Sequence, residues 1–189
     1  MAQLVGISGS VREASLNSAL LRAAAEVLPD GHHLDIRSIR GIPIYDGDLE
    51  AEHGVPDPVT ALKDAIAASD GLIIATPEYN NSIPGPLKNA IDWLTRPPAD
   101  IARVFRNRPV ALMGASPGGF GTTLGQAAWL PVLRTLRADF WSEGRLLVSR
   151  AKGAFDDHGR LIDDNVRDQL DEFMQAFAAY AASRSAARS

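Results

Sequence analysis

LIIATPEYNNSIPGPLKNAIDWL, residues 72–94, is the stretch that decides the fold of this chain. It begins with a short apolar run, Leu72–Ala75, which predicts a strand buried on both faces of a parallel sheet. It ends with apolar residues at helical spacing over residues 86–94. A polar, proline-rich turn separates the two. The turn therefore lies at the carboxyl end of a parallel strand, which is where open α/β sheets bind ligands.

The composition fits one soluble domain. The chain has 189 residues, 20.2 kDa of mass and a net charge of -4. That length predicts a single domain over residues 1–183, followed by a disordered tail at 184–189. The acidic balance speaks against a nucleic-acid or polybasic membrane surface.

The chain contains no cysteine. Disulfides, thiolate chemistry and iron–sulfur sites are therefore excluded, and any redox chemistry has to come from a bound cofactor. The four histidines lack metal-ligand spacing with carboxylates, so no metal site is predicted. No apolar run reaches the ~18 residues of a membrane span, which predicts a cytoplasmic protein without membrane contact.

Five apolar runs predict strands at Gln3–Ile7, His33–Ser38, Gly71–Ala75, Pro109–Gly114 and Gly144–Val148. Helical spacing predicts five helices, at residues 16–27, 58–69, 86–94 and 122–138, and a last one with Val166, Leu170, Phe173, Met174 and Phe177 on one face. This alternation predicts a parallel sheet covered by helices on both faces. With right-handed crossovers, the expected fold is a flavodoxin-like three-layer α/β sandwich with strand order 2-1-3-4-5.

The loop after the first strand predicts an anion site. It contains Ser8, Ser10, Arg12 and Ser15, and Ser15 is a good N-cap for the helix that follows. A helix N-terminus offers unpaired amides and partial positive charge, and the hydroxyls and guanidinium add donors. This set suits a terminal phosphate. The loop contains neither the G-x-G-x-x-G fingerprint of a dinucleotide site nor the G-x-x-x-x-G-K-[ST] motif of a P-loop. The alternative is therefore a loop that only caps the helix, with its arginine in solvent.

The loop after the fourth strand contains Gly114-Ala115-Ser116-Pro117-Gly118, a literal G-x-S-x-G. This motif is typical of hydrolase nucleophiles. However, the oxyanion hole needs the backbone N–H of the residue after the serine, and Pro117 has none. The better interpretation is a glycine-rich loop whose backbone can come close to a planar ligand.

Taken together, these motifs resemble the NADPH-dependent FMN reductase family of flavodoxin-like proteins, which includes quinone, azo-dye and chromate reductases. The resemblance covers roughly residues 3–180. It rests on three groups of residues: Gly9-Ser10-x-Arg12-x-x-Ser15-x-Asn17, Pro77-Glu78-Tyr79-Asn80 with Ser82 and the helix after it, and Ser116 with Gly118, Gly119 and Gly121.

The resemblance implies FMN as cofactor and NADPH or NADH as co-substrate. By family likeness, the FMN phosphate is held by Ser10, Arg12, Ser15 and Asn17. The isoalloxazine is bordered on one side by Pro77, Glu78, Tyr79, Asn80 and Ser82, and on the other by Ser116, Gly118 and Gly119. No residue is assigned as catalytic, because the flavin N5 carries the chemistry, and Glu78 is expected to be structural.

The predicted function is an NAD(P)H-dependent FMN or quinone reductase that passes two electrons to a small-molecule acceptor. Two alternatives stay open: a one-electron flavodoxin-like carrier, and an FMN-binding module that does not oxidise NAD(P)H. Family likeness also predicts a homodimer or homotetramer. We expect Trp93, Leu94 and residues 97–105 to help form a twofold interface.

Overall fold

The computed structural model describes residues 1–186 as a parallel sheet flanked by helices. The strands are β1 (Gln3–Ser8), β2 (His33–Ser38), β3 (Gly71–Ala75), β4 (Pro109–Ala115), β5 (Asp139–Phe140) and β6 (Leu146–Val148). Their order is β2-β1-β3-β4-β5, and β6 also pairs with β4. All of these pairings are parallel. The predicted flavodoxin-like order is confirmed.

The helices are α1 (Leu16–Glu26), α2 (Gly47–His53), α3 (Asp57–Ala68), α4 (Gly85–Leu94), α5 (Asp100–Val104), α6 (Thr123–Thr135) and α7 (Asp164–Ala186). A short 3₁₀ helix, Ala151–Gly153, follows β6. Each predicted helix is present with slightly different ends. Residues 184–186 belong to α7, whereas the sequence predicted a disordered tail from 184 onward. The rest of that prediction, 187–189, lies outside the described residues.

Two apolar cores lie on opposite faces of the sheet, and β3 shows why. Leu72 and Ile74 pack into the core that includes α3, α4 and α6. Ile73 and Ala75 point the other way, into the core of α1 and α7. Because side chains alternate along a strand, an all-apolar strand must supply both cores. The continuous apolar run in the sequence is therefore a direct consequence of the three-layer architecture.

The edge of the sheet beyond β4 differs from the sequence prediction. Only Leu146–Val148 of the predicted strand 144–148 pairs with β4, and Asp139–Phe140, predicted to lie just after a helix, forms a second short strand there. Between them Trp141 turns into the core, where it is 2% exposed. Gly144 packs against the indole so closely that a Cβ there would lie 2.3 Å from it. Burying the tryptophan thus interrupts the edge strand.

Helix α2 was missed because it buries none of its residues and so has no apolar face to detect. Polar contacts hold it instead. Its Glu50 accepts hydrogen bonds from Arg96 at 2.7 Å and from the Tyr45 hydroxyl at 3.0 Å. The arginine contact holds the pKa of Glu50 below its usual range, and the bond to Glu50 raises the pKa of Tyr45.

The segment expected at a twofold interface is buried at its two ends and exposed over most of residues 97–103. Trp93, Leu94, Val104 and Phe105 are fully buried within this single chain. The Trp93 indole N–H donates to the carbonyl of Pro43 at 2.9 Å, and Tyr45 packs edge-on against the indole. These four side chains therefore belong to the core of the chain. A role of the exposed residues between them in a twofold interface stays a prediction.

No helix within residues 1–186 combines the length and the apolar character required for a membrane span.

Candidate functional site

Three loops meet at the carboxyl edge of the sheet and enclose a cleft of about 280 Å³. They follow β1, β3 and β4. The cleft is lined by Ser10, Arg12, Ala14, Ser15, Leu16, Asn17, Pro77, Tyr79, Ala115, Pro117 and Lys152. Six of the twelve residues predicted from sequence are among them. The other six, Glu78, Asn80, Ser82, Ser116, Gly118 and Gly119, belong to the same loops but do not line this cleft.

The loop after β1 is shaped by its own serines. The Ser15 hydroxyl accepts from the backbone N–H of Ser18 at 3.2 Å, which confirms it as the N-cap of α1. The Ser10 hydroxyl accepts from the N–H of Arg12 at 3.3 Å. Ser8 accepts from the Ser18 hydroxyl at 2.9 Å. These bonds fix the loop so that backbone amides at the start of α1 border the cleft, as an anion site requires.

Gly9 lets this loop approach the next one. A Cβ at position 9 would lie 2.7 Å from the ring of Pro77 and 2.6 Å from the side chain of Leu87. Its N–H donates to the carbonyl of Ala75, the last residue of β3, at 2.9 Å. The loops after β1 and β3 are therefore in direct contact, and a larger residue at position 9 would separate them.

Asn17 joins α1 to the end of β4. Its Nδ2 donates to the carbonyl of Ala115, and its Oδ1 accepts from the N–H of the same residue, both at 2.9 Å. The side chain is 3% exposed. The sequence prediction placed Asn17 on a phosphate. The structure instead gives its amide a backbone partner, which leaves one Nδ2 hydrogen that the Ala115 contact does not use.

The loop after β3 closes with a tight turn. Tyr79 and Ser82 exchange backbone hydrogen bonds of 3.2 and 3.0 Å. The two residues between them, Asn80 and Asn81, both have positive φ, 49° and 61°. Positive φ at both central positions is the geometry of a type I′ turn, which asparagine tolerates well. Asn81, which had no predicted role, therefore shapes the turn that presents Tyr79 to the cleft.

Glu78, which was predicted to border the ring in a structural role, makes a contact between two elements. Its Oε2 accepts from the N–H of Gly125 at 2.7 Å. Gly125 lies in the first turn of α6, where amides are unpaired and negative charge is favourable. A Cβ at position 125 would lie 3.3 Å from the carbonyl of Pro77. The carboxylate therefore ties α6 to the loop after β3 and borders the cleft only indirectly.

The loop after β4 is held by the segment after β6. The N–H of Ser116 donates to the carbonyl of Val148 at 3.0 Å, and the carbonyl of Gly118 accepts from Arg150 at 2.9 Å. Position 114 has to be glycine, because a Cβ there would lie 2.4 Å from the carbonyl of Thr76. The first glycine of the G-x-S-x-G motif thus has a structural reason, whereas a Cβ at position 118 would meet nothing closer than the Ser116 hydroxyl at 3.5 Å.

Lys152 lines the cleft although the sequence did not predict it there. It lies in the 3₁₀ helix after β6, 140 residues after Arg12 in the sequence, and both residues line the cleft. Neither side chain has a hydrogen-bond or ion-pair partner among residues 1–186. The one sequence signal for Lys152 was its position shortly after the last predicted strand. The end of that strand lies at the same edge of the sheet as the other loops. Two unpaired cations make this cleft suitable for an anion.

Residues 2–153 match the family model of NADPH-dependent FMN reductases. The chain belongs to the NADPH-dependent FMN reductase family. It is 41% identical to an NAD(P)H-dependent FMN reductase of Pseudomonas aeruginosa over 174 residues, which cover 92% of each chain. It is 34% identical to a 2-hydroxy-1,4-benzoquinone reductase of Burkholderia sp. over 178 residues, covering 94% of this chain and 95% of the relative.

A solved structure supports the same family. The flavoenzyme NAD(P)H:(acceptor) oxidoreductase FerB of Paracoccus denitrificans superimposes with a TM-score of 0.85 at 31% identity. The match covers 97% of this chain and 99% of FerB.

Family membership identifies FMN as the cofactor and NAD(P)H as the electron donor. The residues present fit FMN. The cleft offers two unpaired cations, the amides at the start of α1 and the hydroxyls of Ser10 and Ser15 for a phosphate dianion. The exposed rims formed by Tyr79 and by the glycines after Ser116 leave room for a flat ring beside them.

We expect Asn17→Ala to lower the free energy of unfolding by about 2 kcal/mol, because both backbone groups of the buried Ala115 lose their partner. FMN affinity should fall as well, since α1 and the end of β4 are no longer held together. Urea unfolding and FMN titration measure the two effects. Ser18→Ala, which removes one half-buried hydroxyl contact nearby, serves as the control and should cost at most about 1 kcal/mol. Equal losses for both variants would contradict a special role for the Asn17 pair.

Proposed function

We propose that this chain is an FMN-dependent reductase in which NAD(P)H and the electron acceptor use one cleft in turn. Quinones, free flavin, azo compounds and chromate are the acceptor classes. The observation that carries the proposal is the meeting of three strand-end loops around unpaired Arg12 and Lys152, in a chain of this family. When bound, FMN supplies the redox chemistry: it takes a hydride from NAD(P)H and returns two electrons to the second substrate.

The side chains of the cleft bind and orient. Arg12, Lys152 and the amides at the start of α1 hold the phosphate. The ring then lies between Tyr79 and the loop after Ser116. The reaction balances without a protein base: NAD(P)H and one proton convert a quinone to its hydroquinone and leave NAD(P)⁺. That proton comes from solvent, because the nearby carboxylate of Glu78 is bonded to Gly125.

The sequences of the strand-to-helix loops support one cleft that NAD(P)H and the acceptor share. None of the strand-to-helix loops carries the G-x-G-x-x-G spacing of a dedicated dinucleotide site. Tyr79 is 43% exposed and Phe120 is 86% exposed, so the rim is open to large planar molecules. Hydride transfer needs the reacting atoms about 3–3.5 Å apart, which requires the nicotinamide to stack on the ring. An acceptor can stack there only after the nicotinamide has left.

Arg12→Ala should weaken FMN binding about 10- to 150-fold, because a charge-assisted hydrogen bond to the phosphate is lost. Riboflavin lacks the phosphate and is the matched control ligand, so its affinity should change little. Fluorescence titration of the apoprotein with both ligands measures the effect. Equal losses for FMN and riboflavin would show that Arg12 does not contact the phosphate.

Steady-state kinetics should give parallel double-reciprocal lines when NADPH and a quinone are varied, because the two substrates exchange in one cleft. High quinone concentrations should compete with NADPH. A panel that includes free FMN, an azo dye and chromate would then rank the acceptors. Intersecting lines would indicate a ternary complex and a separate nicotinamide site. FMN binding without NAD(P)H oxidation would instead favour the binding-module alternative.

We also propose assembly into a homodimer or homotetramer. Exposed apolar side chains are available for it, among them Phe120 after β4 and Leu124 and Leu130 on α6, which are 86%, 48% and 46% exposed. Truncating Leu124 and Leu130 to serine should shift the sedimentation coefficient toward that of a monomer, because their apolar area would no longer be buried between subunits. A wild-type protein that sediments as a fully active monomer at micromolar concentration would refute the assembly.

A further inference from the structure

The loop after β4 carries a fully presented aromatic side chain where it leaves the cleft. Pro117 still lines the cleft, and Phe120, shortly after it, is 86% exposed. The loop around Phe120 is anchored on its far side. The Thr123 hydroxyl donates to the carbonyl of Phe120 at 2.7 Å, and Gly121, with a φ of 64°, packs so that a Cβ there would lie 3.3 Å from Leu147. The phenyl ring is therefore held in the open by a fixed backbone.

Arg150 lies against the same loop. Its φ of 48° is uncommon for a residue with a side chain, and two backbone hydrogen bonds hold it there. Its N–H donates to the carbonyl of Gly118 at 2.9 Å, and its carbonyl accepts from Gly153 at 3.1 Å. A Cβ at position 119 would meet Nη2 of Arg150 at 3.9 Å. The guanidinium thus lies beside Gly119, the residue that precedes Phe120.

The surroundings of the Arg150 guanidinium leave its donors available. It makes no hydrogen bond and no ion pair with the side chains of residues 1–186. An exposed arginine is solvated, so this alone does not indicate a ligand. The neighbour does. A cation and an exposed aromatic ring stand side by side on the loop that, under the proposed function, borders the flavin ring.

Each member of this pair suits a different part of one molecule. A phenyl ring packs on another aromatic ring, offset or edge to face. A guanidinium presents several N–H donors in a plane, which match the oxygens of a carboxylate or sulfonate. A neutral quinone offers only the ring, and chromate offers only the charge. An aromatic acceptor that carries an acidic group offers both.

We propose that Phe120 and Arg150, the rim pair, make this chain select aromatic acceptors that carry an acidic group over neutral ones. Phe120 packs on the acceptor ring, and Arg150 binds the carboxylate or sulfonate. This inference rests on the proposed function, because it assigns the acceptor class of the same cleft. The acidic group is unchanged by the reaction: the quinone takes up two electrons and two protons, which become the O–H groups of the hydroquinone.

The test of Arg150 uses the FMN-loaded protein after reduction, mixed rapidly with a neutral naphthoquinone or with its sulfonate. Arg150→Gln should slow reoxidation by the sulfonate about fivefold and by the neutral quinone at most about twofold. Arg150→Lys keeps the charge and should restore most of the rate. Arg106→Gln is the matched control, because Arg106 is also exposed but precedes β4, at the opposite edge of the sheet.

The test of Phe120 uses the same assay with chromate added as an anion that has no ring. Phe120→Ala should slow both naphthoquinones about fivefold, because the packing of two rings is lost. Chromate should be slowed at most about twofold. The variant should also sediment like the wild type. A smaller species would assign Phe120 to the contact between subunits and overturn its place in the rim pair.

The remaining outcomes separate the rim pair from the proposed function. Equal slowing of the neutral and the sulfonated quinone by Arg150→Gln, or an equal effect of Arg106→Gln, would overturn the rim pair. So would slower reduction by NADPH with unchanged reoxidation, which would place Arg150 on the nucleotide. Unchanged reoxidation in both variants, with NADPH oxidation intact, would refute the rim pair alone. Reoxidation that depends on the rim pair, in a protein that NADPH does not reduce, would support the pair and refute the reductase.

Discussion

The site depends on the pair of hydrogen bonds between Asn17 and Ala115. These residues are 98 positions apart, and both are buried where α1 meets the end of β4. A buried backbone pair must be satisfied, and the pairing of β3 with β4 ends at Ala75 and Met113, two residues before Ala115. The asparagine does so, and it thereby fixes the distance between the phosphate loop and the loop after β4. Without it, two walls of the cleft would be positioned independently.

The charge of the side chains around the cleft is opposite in sign to the net charge of the chain. The chain is acidic overall, at -4, yet the described residues that line the cleft include Arg12 and Lys152 and no carboxylate. Other cations are neutralised: Lys63 pairs with Asp100, and Arg96 with Glu50. An exposed cation is solvated and gains little from an ion pair, so the lack of a partner alone does not indicate a ligand. The position of Arg12 and Lys152 in the lining of one cleft is what suits them to an anion.

Much of the fold and part of the site could be predicted from sequence. The strand β3 was recognisable because burial on both faces demands a continuous apolar run, and Ser15 because a helix start needs a capping oxygen. Helix α2 could not be recognised, since it is held by Glu50 and Arg96 rather than by an apolar face. The place of Trp93 could not be predicted for a related reason: composition marks a residue as apolar but does not say which surface will cover it, and here the core of the chain covers the indole.

The sequence by itself determined the layer architecture, the strand order and the loops that carry the chemistry, because hydrophobic periodicity and capping are local properties of the chain. Only the tertiary structure decided which side chains of those loops face the ligand. It turned Asn17 and Glu78 toward backbone amides, and it brought Lys152 to the first loop and Arg150 beside Gly119. These contacts join residues far apart in the chain. Their geometry follows from how the sheet stacks its loops, and no local pattern records it.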